Sequence, residues 1–436
     1  MTDSPTAAPA QPLATTVFYG WWNVLVCFVG LALSYAMFTV FVFGTFVAPL
    51  EAEFGWRRGP MSLALTIANI TVVVASPLLG ALVDRIGVRR VMLVSTALLG
   101  LCVAAMSRLN GDLRLYYLMH LLIPLLGAGT LPLGYARVMV AWFARRRGLA
   151  LGISLSGFGV GATLMPALAQ FMIDNWGWRE AYLIFAAMVL LISLPMTFFV
   201  LREKPADLGL QPDGERLAAA PGAVLPDTAA APITDAEGGL SHRQALGTRS
   251  YWLVLGSFGL VGVGITSVLA HLVPILIGRG FSPAAAAMCM STLGFGLIFG
   301  RVLAGYLMDR YFAPYVAGVF LLGLLLGVVI LATGTAGPMV FVAALLVGLA
   351  TGSEISEIAY IVSRYFGPRA FGQIYGVMFS AFQLGSAAGA YAMGRYYDSA
   401  GTYIGALWFV ACLVALGTLL IVLLGRYPDL KAEGAG

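Results

Sequence analysis

The sequence has few charged residues and few cysteines. Charged side chains make up 10% of its 436 residues and hydrophobic ones 60%, whereas about a quarter of an ordinary soluble domain is charged. Water is therefore not expected to be the main solvent of this chain. The cysteines lie in separate apolar stretches without CxxC spacing, which supports neither a disulfide framework nor a zinc site; they are Cys27, Cys102, Cys289 and Cys412.

Motifs of catalysis and nucleotide binding are also missing. The sequence contains no Gly-xxxx-Gly-Lys-Ser, no His-Glu-xx-His and no Gly-x-Ser-x-Gly, so neither ATP drive nor hydrolytic chemistry is supported. We therefore expect no enzyme, no catalytic residues, no metal and no cofactor. The net charge of +5 does not predict nucleic-acid binding, because the basic residues lie in short loops between apolar stretches.

Apolar stretches long enough to cross a bilayer recur along nearly the whole chain. A helix needs about 20 residues to span the hydrocarbon core, so the pattern predicts an all-α membrane protein. Residues 1–17 contain no Lys or Arg, so no cleaved secretory signal is expected and the first span is retained. Spans 1 to 12 are predicted at 22–48, 60–82, 91–108, 114–140, 149–173, 180–201, 251–277, 283–306, 314–333, 339–362, 372–394 and 403–425.

The two halves of the chain repeat each other. Gly80-Ala-Leu-Val-Asp84-Arg85 matches Gly305-Tyr-Leu-Met-Asp309-Arg310, and Gly148-xxx-Gly152 matches Gly372-xxx-Gly376, at offsets of 225 and 224 residues. Such a parallel duplication predicts two pseudo-symmetric six-helix bundles with a solute site near mid-depth between them. A segment rich in Pro, Ala, Asp, Glu and Gly separates the halves and predicts a mobile cytoplasmic linker. The expected organisation is a cytoplasmic tail, a bundle, the linker, a second bundle and a tail, at 1–21, 22–201, 202–250, 251–425 and 426–436.

Loop charges predict the orientation. Arg85, Arg89, Arg90 and the run Arg145-Arg146-Arg147 fall on one side of the predicted membrane, which the positive-inside rule assigns to the cytoplasm. An even number of spans then places both termini there. We expect a multi-pass protein of a bacterial-type inner membrane, surrounded by lipid and functional as a monomer.

One loop carries a family signature. The string Gly80-Ala-Leu-Val-Asp84-Arg85-Ile-Gly87-Val-Arg89-Arg90 resembles the loop 2–3 signature of the major facilitator superfamily. The resemblance implies twelve helices that work by rocker-switch alternating access. It also implies that one set of residues gates the cytoplasmic side and does not bind substrate: Asp84, Arg85, Arg89, Arg90, Asp309 and Arg310.

A narrower likeness covers most of the chain. Phe18-Tyr19-Gly20-Trp21-Trp22 and the stretch from Trp142 to Gly152 look like those of the monocarboxylate and oxalate/formate porters. Gly300-Arg301-Val-Leu-Ala-Gly305 is similar to the segment in which that branch carries its carboxylate-binding arginine. Two positions depart from the pattern. Leu297 stands where many eukaryotic members have an aspartate, and the span 11 lysine of oxalate carriers falls here near Phe382 or Gln383.

The residues themselves also single out Arg301. It lies about eighteen residues into span 8, where a guanidinium costs at least about 2.5 kcal/mol unless it is paired or hydrated. Its fork of N–H donors suits a carboxylate, so an organic anion is a reasonable ligand. The alternative is a structural ion pair with Glu354 or Glu357 in span 10.

Glu354 and Glu357 are three residues apart and therefore share one face of a helix. Two carboxylates inside a bilayer predict a proton carrier whose charge is coupled to anion binding; alternatively they neutralise Arg301 or Arg364 and only hold the bundle together. Four further polar residues in the spans could bind substrate near the midplane or serve as interhelical contacts: Tyr35, Asn69, Tyr360 and Gln383.

The sequence therefore predicts a proton-coupled carrier of a small monocarboxylate, with the anion at Arg301 and the proton on Glu354 or Glu357. A first alternative is an anion exchanger or a carrier of another small organic solute. A more remote one is a membrane sensor that binds a solute without moving it.

Overall fold

The computed structural model of the protein describes residues 18–214, 239–335 and 337–428. Most of the predicted N-terminal tail, the middle of the predicted linker and the end of the C-terminal tail lie outside the described residues. The regular structure of the described part is helical. The α-helices are α1 Gly20–Ala32, α2 Phe43–Phe54, α3 Arg58–Ile86, α4 Val88–Met106, α5 Leu113–Leu126, α6 Pro132–Trp142, α7 Arg147–Trp176, α8 Trp178–Met188, α9 His242–Leu246, α10 Arg249–Gly278, α11 Pro283–Met308, α12 Ala313–Ala332, α13 Met339–Tyr365, α14 Phe371–Ala400 and α15 Ile404–Val422.

Twelve membrane-spanning segments follow from these helices. Within the described ranges, eleven segments are long and apolar enough to cross a bilayer. The twelfth, α14, has 30 residues and occupies the position of predicted span 11. Its glycine, serine and tyrosine residues make it less apolar, because much of its surface faces other helices and not lipid. The predicted fold of twelve helices is confirmed.

Three predicted spans are not continuous α-helices. In span 6, α8 is followed by two π-helical turns, Val189–Ser193 and Met196–Val200. In span 1, α1 ends at Ala32 and a π-helical turn, Met37–Phe41, precedes α2. In span 4, a 3-10 turn, Gly127–Thr130, separates α5 from α6. The Tyr35 N–H donates to Thr130 Oγ1 at 3.1 Å, so a donor freed by one break is satisfied at the other.

The N-terminal half (α1 to α8) and the C-terminal half (α10 to α15) meet along two helix pairs, α3 with α14 and α7 with α11. Both pairs cross at glycines. A Cβ added to Gly80 would overlap the Gly372 carbonyl, and one added to Gly148 would overlap the Gly305 carbonyl. Because Gly80 corresponds to Gly305 and Gly372 to Gly148 in the sequence repeat, the two crossings are equivalent by pseudo-symmetry.

The described ends of the predicted linker are attached to the bundles. Glu203 accepts a hydrogen bond from the Val88 N–H at 3.1 Å, and Asp213 accepts one from the Arg145 N–H at 2.8 Å; both donors belong to the N-terminal half. The Leu240 N–H donates to a carbonyl at the end of α13, at 2.8 Å. One end of the linker is thus held by each half.

Candidate functional site

Two aspartates join the halves at one end of the bundle, which we call the Asp84 end. At the end of α3, Asp84 accepts hydrogen bonds from the N–H groups of Gly372 and Gln373, at 3.1 and 2.9 Å. Just after α11, Asp309 accepts from Gly148 and Leu149, at 2.6 and 2.9 Å. Each carboxylate therefore binds the N-terminal turn of a helix in the opposite half, where the unpaired N–H groups and the helix dipole favour negative charge.

Asp309 lies just outside the membrane-spanning segment of α11, which ends at Met308. Burial between the halves raises the pKa of its carboxyl above the ordinary value, and this effect exceeds the opposing effect of the bonds from Leu149 and Gly148. Protonation would remove the negative charge that these N–H groups bind. The contact is therefore sensitive to the charge of Asp309.

The arginines predicted to gate with these aspartates make other contacts. Arg89 Nη2 donates to the Phe198 carbonyl at 2.6 Å, inside its own half. Arg310 lies 3.7 Å from the centre of the Tyr306 ring in a cation–π contact. Arg85 and Arg90 are exposed.

Two other arginines reach between the halves. Arg137, on α6, forms an ion pair with Asp84, and its Nη1 also lies 3.4 Å from the Pro368 carbonyl of the C-terminal half. Arg147 Nη1 donates to Ser363 Oγ at 3.1 Å. Neither residue was among the predicted gating residues. The run Arg145-Arg146-Arg147 can be recognised in the sequence as a basic loop. Which of its three side chains points into the bundle cannot, because that depends on the residue at which α7 begins.

Arg301 lies between the halves, about 12 Å along α11 from Asp309 at 1.5 Å per residue. Its side chain is 2% exposed. Nε donates to the Gly352 carbonyl of α13 at 2.8 Å, and Nη1 donates to the Leu155 carbonyl of α7, across the interface, at 2.7 Å. Among the described residues no carboxylate lies within 4.0 Å of the guanidinium. Arg301 therefore does not face lipid, and its two bonds use neutral acceptors.

Both glutamates of α13 are buried, Glu354 at 4% exposure and Glu357 at 0%. Glu354 interacts electrostatically with Arg301. Its Oε2 and both oxygens of Glu357 have no hydrogen-bond partner in the described part of the chain. Ser353, one turn before Glu357, donates its hydroxyl proton to the Ala350 carbonyl. The Ser353 hydroxyl is also close enough to interact with the Glu357 carboxyl group. The site thus contains buried carboxyl oxygens that accept no well-formed hydrogen bond from the described residues.

The other predicted substrate ligands are spread over the bundle. Tyr35 is buried at the break in span 1, and Asn69 is exposed on α3. Tyr360 lies near the Asp84 end, where Asp309 and Arg147 act on it electrostatically. Gln383 is half-buried on α14. Their roles as ligands stay predictions.

A cavity of about 440 Å³ lies at the Asp84 end. Both halves and the linker contribute to its wall, which includes Arg137, Arg147, Glu203, Lys204, Ser363 and Phe371. Arg301 does not line it. This cavity therefore does not reach the Arg301 guanidinium.

Comparisons with known proteins agree with this architecture. The family model described as "Major Facilitator Superfamily" matches residues 27–390 and 279–435. "Monocarboxylate transporter 11" of Mus musculus is 26% identical over 94% of this chain and 88% of its own length. "Monocarboxylate transporter 13" of Rattus norvegicus is 25% identical over 94% and 90%.

Solved structures share the fold. The fucose:proton symporter FucP of E. coli superposes with a TM-score of 0.68 at 14% identity, covering 92% of this chain and 97% of its own. The proton:xylose symporter XylE gives a TM-score of 0.70 at 15% identity, covering 95% and 99%. These similarities are to transporters and not to enzymes.

Proposed function

Because the chain belongs to the Major Facilitator Superfamily, we propose that this multi-pass membrane transporter is a secondary carrier of a small organic anion. It moves a monocarboxylate together with a proton by rocker-switch alternating access. Relatives named monocarboxylate transporters, matched along most of the chain, support this substrate class.

The observation that carries the proposal is the environment of Arg301. A buried cation normally has an anionic partner, because an unpaired charge in a low-dielectric interior is costly. The Arg301 guanidinium instead has two backbone carbonyls as acceptors. A substrate carboxylate would be an anion bonded directly to the guanidinium and would bind through the N–H groups that remain, as in bidentate arginine pairs.

Access to Arg301 follows from its position between the halves. Its Nη1 bond to Leu155 crosses from the C-terminal to the N-terminal half, so a rocking motion that parts α7 from α11 exposes the guanidinium. The same motion must release Asp84 and Asp309 from the helix ends they bind. We assign these two aspartates the gating role.

Charge balance supports a proton as the coupled ion. If one glutamate is neutral, the positive charge of Arg301 and the negative charge of the other glutamate cancel. A bound monocarboxylate then gives the site a net charge of −1. A proton on Glu354 or Glu357 returns it to zero, which avoids carrying a buried charge through the membrane. The unpartnered oxygens of both glutamates fit groups that exchange protons and not groups locked in an ion pair.

The Asp84 end is proposed to face the cytoplasm. The helix ends and loops there carry Arg85, Arg89, Arg90 and the run Arg145-Arg146-Arg147, and the positive-inside rule places such basic segments in the cytoplasm. Both termini then lie in the cytoplasm of a bacterial-type inner membrane, and one chain contains the whole site.

Transport assays in proteoliposomes test the proposal. Uptake of radiolabelled lactate, pyruvate and benzoate is measured with and without an inward proton gradient. For a transported acid, Arg301→Ala is expected to raise KM by about 100-fold, because a charged pair of hydrogen bonds worth about 3 kcal/mol is lost. Arg279→Ala is the matched control, since that arginine also bonds a backbone carbonyl, at Leu331, but outside the site.

Unchanged uptake in Arg301→Ala would show that the arginine is a structural tie and would remove the organic-anion assignment. If the rate of counterflow is the same with and without the proton gradient, in wild type and in Glu354→Gln and Glu357→Gln, the protein is an exchanger and not a symporter.

A further inference from the structure

The buried polar groups around Arg301 include one side chain that the proposed mechanism leaves unused. Tyr375, on α14, is 0% exposed. Its hydroxyl has no hydrogen-bond partner among the residues that the structure describes. Burying a hydroxyl without a partner is unfavourable, so this oxygen requires an explanation.

The Tyr375 ring is held in place from both sides. It stacks between Phe371 and Phe379, one turn away in each direction, with ring centres 5.7 and 6.1 Å apart. A ring that is fixed in this way presents its hydroxyl in one direction, without the loss of side-chain freedom that a mobile ligand incurs on binding.

Tyr375 is electrostatically coupled to the residues of the proposed site. Tyr375 interacts electrostatically with Arg301 and with Glu354, which belong to α11 and α13. The unpartnered Oε2 of Glu354 belongs to the same cluster. Three helices of the C-terminal half thus bring a cation, a carboxyl group and a free phenol together between the halves.

We propose that Tyr375 is a substrate-binding residue whose hydroxyl donates a hydrogen bond to the carboxylate that Arg301 holds. A carboxylate has two oxygens with about four acceptor positions, so the guanidinium and the phenol can bind it together. The proposal rests on the proposed function, because it needs an anion at Arg301. It accounts for a buried donor that has no acceptor among the described residues.

The variant Tyr375→Phe tests this assignment, because it removes one oxygen and keeps the stacked ring. KM for the transported acid of the lactate, pyruvate and benzoate panel is expected to rise about 10-fold or more, as for the loss of a hydrogen bond to a charged group. Vmax is expected to stay within about 2-fold and the melting temperature to be unchanged or higher, because an unsatisfied buried hydroxyl is lost.

Tyr135→Phe is the matched control. Tyr135 is also 0% exposed with an unpartnered hydroxyl, but it packs against Gly30 of the N-terminal half. Its KM is expected to remain that of wild type.

The outcomes separate this inference from the proposed function. If Arg301→Ala raises KM as expected while Tyr375→Phe leaves KM within 2-fold, the Tyr375 assignment is wrong and the anion site stands. An equal rise in KM for Tyr375→Phe and Tyr135→Phe would also overturn the assignment, because the loss of any buried tyrosine hydroxyl would then have the same effect. If Arg301→Ala has no effect, or wild type transports none of the three acids, both proposals fail.

Discussion

The glycine contact between α7 and α11 allows a prediction about the stability of the closed Asp84 end. In Gly305→Ala, the new methyl group would overlap the Gly148 carbonyl and lie 3.3 Å from Gly152 Cα. Backbone cannot rotate away as a side chain can, so the two helices must separate. The Gly148 and Leu149 N–H groups then move away from Asp309.

The size of the effect follows from these two bonds. A hydrogen bond to a charged group contributes about 1.5 to 3 kcal/mol, and water compensates part of it because Asp309 is half-buried. The lower figure, taken for both bonds, gives about 3 kcal/mol, or a shift of roughly 100-fold in the equilibrium between closed and open Asp84 ends.

Spin labels at two exposed positions measure this equilibrium. Leu208, in the linker segment held by the N-terminal half, is 42% exposed, and Tyr311, after α11, is 64% exposed. Cys412 is exposed and Cys102 partly so, hence both are replaced in every variant. Gly305→Ala is expected to move most of the distance distribution to longer values and to lower Vmax of uptake more than 10-fold.

Gly294→Ala is the control on the same helix. It brings the same gain in helix propensity, but its added Cβ would meet no atom within 4 Å, so it is expected to behave as wild type. If Gly305→Ala keeps the wild-type distances and uptake, the glycine crossing does not control the closed state and the reasoning is refuted.

Three further predictions concern the acidic residues. Asp84→Asn removes the negative charge that binds two N–H groups of α14 and the Arg137 guanidinium. Vmax of uptake is therefore expected to fall about 10-fold with little change in KM. A change in KM alone would contradict a gating role. Glu357→Gln is expected to raise the melting temperature by a few degrees, because a buried ionisable carboxyl group becomes a neutral amide. If Glu357 and not Glu354 carries the proton, proton-driven uptake is lost as well; a lower melting temperature would indicate a structural ion pair. Hydrogen bonds from Arg179 and Trp178 lower the pKa of Glu53. The ionised Glu53 carboxylate therefore stabilises the folded protein fully above its ordinary pKa of about 4.5, and this stabilisation is lost as the pH falls through the lowered pKa. Glu53→Gln is expected to melt about 1 to 2 °C below wild type at pH 7, and this difference is expected to shrink as the pH is lowered, whereas a difference that does not change with pH would exclude an ionic cause.

The sequence predicts the outline of this fold because the outline depends on local composition. Twenty apolar residues form a spanning helix whatever surrounds them, and the repeat around Gly80 and Gly305 is visible in the letters. The breaks in spans 1 and 4 were not predicted. A hydrogen bond joins the two breaks, from Tyr35 to Thr130, 95 residues apart, and no local pattern encodes such a partner.

The site is predictable to a similar degree. Arg301, Glu354 and Glu357 stand out because charge is rare in a bilayer, and the structure places all three at buried positions. Tyr375 could not be singled out, because tyrosine is common in membrane helices and only the packing shows that its hydroxyl lacks a partner. The pairing of Arg137 with Asp84 likewise requires the arrangement of α3 and α6 in space.

The glycine crossings have a consequence for leakage. Where the backbones of α3 and α14, and of α7 and α11, touch directly, no room is left for a file of water molecules, so protons and small ions have no wet path there. Because few side chains interlock at such a contact, it can open and reform with little change of rotamer. A tight seal and easy reopening are both needed by a carrier, which must close in every transport cycle without leaking ions.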